Sequence, residues 1–432
     1  MTDKTEKELF LETQKAAKQG DVEAKYNLGY MYFAGYGVEQ NRPTAVKWWL
    51  EAAEHGNHAI AQHSLGVAYD RGYGVPQDQE RALKWWLSSA EQGYADAQYA
   101  VGYAYINGLG VKQDDTLAVK WYSKAAEQGF AAAQYGLGRM YFEGRGVKQD
   151  AAQAVKLWSL AAEQGYDDAQ VTLGNAYVKG SGVKIDYDKA VKWWLKSAEQ
   201  GNVKSQFLVG TSFVTGMGVE QNYAQAAVWW SLAAEQGHPS AQYGLGTLYA
   251  DGLGVPQDNQ KARNWWVAAA EQGHVEAQEA LFLEAQDDAM KGIDGAQHTL
   301  GLMYYRGQGV EKDDVQAVAW WHKAAAQGHV EAQLCLGGCY AMGQGVAQDN
   351  VEAAKWFRKA AEQGHDQGQY NLGLMYISGL GVPQDPSQAL AWLNKAAAQN
   401  NVDARFFVNK LSNPSRPDYE PDQGKESDLR YN

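Results

Sequence analysis

The sequence predicts an all-α fold, a solenoid of about ten helix-turn-helix repeats of 36 residues. Three observations predict it. A Leu-Gly-x-x-Tyr string begins at Leu28, Leu65, Leu137, Leu173, Leu245, Leu300, Leu336 and Leu372, with Val101 and Val209 in the same slot. Its glycine advances by 36 residues from Gly66 through Gly102, Gly138, Gly174 and Gly210 to Gly246, and again from Gly301 through Gly337 to Gly373. Self-similarity at a fixed step of this size marks stacked units that bury their apolar faces against one another. Within each unit, apolar residues follow the helical period in two stripes on either side of a Gly-x-Gly-Val turn.

The elements follow in order. Residues 1–23 read as an N-terminal cap whose helix spans 4–19, because AAKQGDVEA mirrors the AAEQGHVEA that closes a second helix later in the chain. Repeats one to seven occupy 24–278. In the first repeat, Ala24, Leu28, Met31 and Tyr32 share one face of the first helix, and Ala45, Trp48, Trp49, Ala52 and Ala53 share one face of the second. The first glycine of Gly35-Tyr36-Gly37-Val38 is placed to end a helix in the left-handed conformation. Three residues after the valine comes Asn41, Asp78, Asp114, Asp150, Asp186, Asn222, Asp258, Asp313, Asp349 or Asp385, the position of an N-cap.

The period then fails. Ala277 meets its counterpart Ala296 after only 19 residues, and 279–295 lacks both the glycine turn and the aromatic pair. This stretch reads either as a truncated hairpin turning near Gln286 or as one joint helix from about Val275 to Lys291. Repeats eight to ten follow over 296–404. A final helix carries Phe406, Phe407 and Leu411, so that 405–411 end a C-terminal cap, and the polar residues 412–432 are expected to be disordered.

All 16 tryptophans fall in second helices. Six Trp-Trp pairs begin at Trp48, Trp85, Trp193, Trp229, Trp265 and Trp320, and the rest occupy the same two slots. A slot filled in every repeat reads as packing, with small residues such as Gly29 or Gly174 opposite the rings.

The composition excludes several functions. Lys and Arg number 38 against 51 Asp and Glu, a formal net charge of −13, which disfavours nucleic acid and anionic lipid. No apolar run is long enough to insert in a membrane. The start is polar and charged, so a cytoplasmic location is expected, or a periplasmic or secreted one if a signal peptide precedes it. No catalytic constellation and no cofactor motif is visible. The Gly-x-Gly turns join helices, whereas a dinucleotide loop follows a strand. His238, His274, His329 and His365 share one turn position in different repeats, too far apart for one metal, and read as solvated turn residues. Cys339 takes a core slot, and Cys335 four residues away is badly placed to pair with it.

The pattern A-x-x-x-L-G-x-x-Y-x-x-G-x-G-V-x-x-D-x-x-x-A-x-x-W-W-x-x-A-A-x-Q-G resembles the Sel1-like repeat, a relative of the tetratricopeptide repeat, over about residues 1 to 411. The resemblance implies a right-handed α/α superhelix of bacterial origin that works as an adaptor or scaffold without being an enzyme. Some members staple each repeat with a disulfide, which this chain does not, favouring a reducing compartment. Two narrower roles are implied by particular members: an immunity or regulatory protein that neutralises one secreted effector, and an activity related to peptidoglycan or β-lactams.

Residues 26, 30 and 33 of the first helix lie opposite its core stripe, at the slots with which tetratricopeptide proteins line their concave surface. Through the array these slots carry Tyr26, Tyr30, Phe33, Tyr99, Tyr103, Tyr135, Arg139, Phe142, Phe207, Tyr243, Tyr305 and Tyr370. An apolar and aromatic ladder facing a groove points to a protein or peptide partner, and the acidic chain to a partner with a basic surface.

Overall fold

The computed structural model describes residues 5–412 as twenty-three α-helices, with no strand among them. The cap helix runs over Glu6–Lys18 and begins in a capping box, in which Thr5 and Glu8 each bond the other's backbone amide. Ten hairpins follow. Their second helices all start at the expected Asn or Asp, whose carboxylate or amide oxygen accepts a first-turn N–H, as Asp150 does from Gln153 at 2.9 Å. The residues expected to form a tail lie, beyond Ser412, outside the described segment. Contacts gather into two compact units, residues 1–236 and 237–432, each a run of helices packed on their sequence neighbours.

The turn uses its two glycines differently. Gly35 ends the first helix at φ 77°, and the amides of Gly35 and Tyr36 both reach the Met31 carbonyl. Gly37, also left-handed at φ 69°, is needed for a close approach, since a Cβ there would strike the Glu6 backbone and come within 3.1 Å of Phe10 Cβ. The first repeat is one residue longer than the next, Gly66 following Gly29 by 37 residues, and the second helix absorbs the addition by lengthening to Arg42–Gly56, with Asn57 closing it at φ 48°.

The core is built from one recurring contact. The second residue of each aromatic pair lies on the glycine of the first helix. A Cβ on Gly29 would sit 2.5 Å from the Trp49 indole, and Gly138 and Trp158 repeat the relation. Trp49, Trp86, Trp158, Trp194, Trp230 and Trp321 are buried accordingly. The first residue of the pair lies nearer the surface, and in two of the Trp-Trp pairs it carries a lysine over its face, with Lys196 4.3 Å from the Trp193 ring and Lys323 3.5 Å from Trp320.

A glutamine ladder, not anticipated from the sequence, ties successive repeats together. Gln98, Gln134, Gln170 and Gln206 are each about 4 % exposed. Each donates its amide to a carbonyl of the second helix before it, as Gln134 does to Ala126 at 3.2 Å. Each accepts from the glutamine that closes the following second helix, as Gln134 does from Gln164 at 2.8 Å. These buried amides are thereby paired on both sides.

Residues 275–290 form one continuous helix, Val275–Met290. Its start is that of a first helix, capped by His274, with Gln278 in the ladder position donating to Ala270 at 3.2 Å. Its remainder matches the N-terminal cap. Phe282 meets Tyr304 edge-on at 5.4 Å, as Phe10 meets Tyr32 at 5.5 Å, and Ala289 is buried like Ala17. One helix thus combines the two roles that a full repeat divides between two.

Candidate partner-binding site

The ladder read from the sequence is divided by its packing. Tyr30, Tyr103 and Phe142 are exposed, at 54 %, 48 % and 37 %, and so is Arg139. Tyr26, Phe33, Tyr99, Tyr135, Phe207, Tyr243, Tyr305 and Tyr370 are half-buried, where the sequence reading has them facing away from the core. The reason is their neighbours. A residue in the first slot reaches the N-cap residue of the next repeat: Tyr26 stacks on His58 and Tyr243 on His274, both at 5.0 Å, and Tyr135 meets Tyr166 at a tilt at 5.4 Å. Those of the third slot lean on their own repeat's buried indole, as Phe33 does on Trp49, Phe142 on Trp158 and Tyr305 on Trp321. Phe207 lies over Trp230, and Tyr370 meets Phe407 of the last helix. The same geometry corrects the reading of four histidines. His238, His274, His329 and His365 are half-buried N-caps whose Nδ1 accepts a first-turn amide.

The site residues converge best in repeats three and four. Their first helices, Ala95–Asn107 and Ala131–Glu143, border a cavity of about 370 Å³. Tyr99, Tyr103 and Tyr135 wall it, together with Tyr122 and Tyr166. The sequence reading missed the last two. Tyr122 takes the buried indole slot against Gly102 and stacks on Tyr99 at 5.2 Å with planes 11° apart. Gly136 completes the wall, since a Cβ there would be 2.8 Å from the Tyr122 ring. The available signal was the Trp-Tyr dipeptide at 121–122, where six other repeats have Trp-Trp.

Charges ring the opening. Arg145 holds Asp115 through two bonds of 3.1 and 2.8 Å, which lowers the Asp115 carboxyl pKa. Arg139 pairs with Glu143 at 3.2 Å, and Asp168 stands on the rim. Burial raises the hydroxyl pKa of Tyr99, Tyr122 and Tyr166, so these phenols stay neutral. The arrangement offers ring faces, hydroxyls and paired charges: equipment for recognition. In the second unit, the two cysteines are free. Cys339 is buried, and burial pushes both thiols up to about 12, so neither is an activated nucleophile.

Comparison with known proteins agrees with this architecture. The Sel1 repeat model matches ten segments, 22–57, 59–94, 95–130, 131–166, 167–202, 203–238, 239–274, 295–329, 330–365 and 366–401. Among solved structures, a protective antigen of uropathogenic Escherichia coli strains, with an SLR fold, is 35% identical. That match covers 94% of this chain and 91% of the antigen, with a TM-score of 0.63. A Sel1 repeat protein from Oxalobacter formigenes is 33% identical over 54% of this chain and 97% of its own, at a TM-score of 0.46. An immunity protein from Pseudomonas aeruginosa is 24% identical over 50% of this chain and 81% of its own, at a TM-score of 0.33. No helix among the described residues is long and apolar enough to cross a membrane. With its ten matched repeats and the glycine–indole contact that builds them, the chain belongs to the Sel1 repeat family.

Proposed function

We propose that this protein is a non-catalytic scaffold that docks a partner protein or peptide on the face formed by its first helices, centred on repeats three and four. Sel1 repeat proteins generally mediate protein–protein interaction. The observation that carries the reading to this place is the tyrosine-walled cavity, bordered by exposed Tyr103 and Arg139. Tyrosine and arginine are enriched among interface hot spots: a tyrosine ring buries a large surface with little loss of side-chain freedom, and a guanidinium donates several hydrogen bonds in a fixed plane. The net charge of −13 favours a partner with a basic surface.

The test uses cross-linking in the native cell to identify the partner, then the variant Tyr103→Ala. The Tyr103 side chain is about half exposed, so the helix should be unaffected. Binding should weaken by about 2 kcal/mol or more. An unchanged affinity, with helicity intact, would place the docking surface elsewhere.

A further inference from the structure

We propose that the cavity between repeats three and four holds a cationic side chain of the partner, arginine or lysine, against its tyrosine rings. The inference rests on the reading that this face docks a protein. Five rings converge here, and an aromatic face presents negative electrostatic potential, which attracts an ammonium or guanidinium group. The charges point the same way. Both cations at the opening are engaged, Arg145 by the two oxygens of Asp115 and Arg139 by Glu143. Asp168 forms no ion pair with a lysine or arginine among the described residues, and it lies close enough to Tyr99 and Tyr166 to influence both hydroxyls. The charge left over at the rim is therefore negative. A carboxylate ligand would face ring surfaces and Asp168, with Arg139 released to it only by breaking a pair. The phenols add hydroxyls that accept from an N–H donor. A guanidinium can lie flat on one ring while donating to a hydroxyl and to the Asp168 carboxylate.

The experiment titrates the full chain with N-acetylarginine amide and N-acetyllysine amide, read by saturation-transfer NMR. N-acetylglutamate amide and N-acetylnorleucine amide serve as the anionic and neutral probes. The two cations should bind in the millimolar range and compete with each other. Tyr103→Leu, which keeps apolar bulk but removes a ring face, and Asp168→Asn should each weaken them about threefold or more. Four results overturn the proposal: no cation binding, equal binding of norleucine amide, preference for glutamate amide, or affinities unchanged in both variants. A partner lost with Tyr103→Ala, alongside probes that show no preference for cations, would leave the docking face standing and remove the cation site alone.

Discussion

Gly174 and Trp194 occupy one space: a Cβ built on Gly174 would fall on the indole, with Trp194 Cε2 3.0 Å away. Both are buried, and neither can move without parting the two helices of repeat five. Gly174→Leu should therefore destabilise the protein by about 1–3 kcal/mol or more. In a solenoid each repeat leans on its neighbours, so amide exchange should quicken first in repeats four to six. An unchanged melting temperature would mean that the contact is not tight.

The buried glutamines predict a different kind of damage. Gln134→Leu keeps the bulk but removes both the donor to Ala126 and the acceptor for Gln164. A buried carbonyl without its partner costs about 1–3 kcal/mol, so this variant should melt lower although its apolar surface increases. Equal or higher stability in denaturant titration would show that the ladder contributes nothing net.

Acid should loosen the second unit. His298 is stacked on His329 at 4.6 Å, and burial, together with that neighbour, pushes its pKa from 6.5 down to about 4. The unfolded chain takes up this proton near the ordinary value, whereas the folded chain resists it until about 4. The contribution of neutral His298 is therefore complete above about pH 6.5 and drains away as pH falls toward 4. Glu331, Arg306 and the Cys335 thiol, 4.0 Å from the ring, also face it. Between pH 7 and 5, the melting temperature of the wild type should fall more steeply than that of His298→Gln. Identical slopes would rule out His298 as the group responsible.

Much of this was legible in the sequence because each repeat states it again. The ten Asn or Asp caps, the glycine step and the indole slots are local signals with a fixed period. The joint was harder to read because it was judged by a missing aromatic pair. A second helix needs its indole only where a first helix of the same repeat offers a glycine. The helix Val275–Met290, like the cap Glu6–Lys18, lacks that preceding partner, and it places Ala285 where the cap has Thr13. The glutamines stood in plain view as Ala-Gln and Gln-Gly, but their pairing spans 30 residues and no local pattern reveals it. The candidate site was half legible for a similar reason. A helical wheel locates the outward face of one helix, whereas the packing of Tyr135 on Tyr166 depends on where the next repeat begins.

That division leads to the last prediction. Tyr99 is clasped between Tyr122 at 5.2 Å and Phe130 at 5.5 Å, and Tyr103, one turn along the same helix, is 48 % exposed. Tyr99→Ala removes a half-buried ring from a stacked cluster and should cost about 2–3 kcal/mol. Tyr103→Ala removes a ring that is about half exposed and stacks on no other ring among the described residues, and it should stay within about 0.5 kcal/mol of the wild type. Thermal melts of the two variants check this. If docking uses both rings, the two substitutions will weaken binding for different reasons. Tyr103→Ala then reports the interface alone, whereas the effect of Tyr99→Ala includes loosening of repeats three and four. Equal melting temperatures for the two variants would mean that the Tyr99–Tyr122 stack does not help to hold the repeats together.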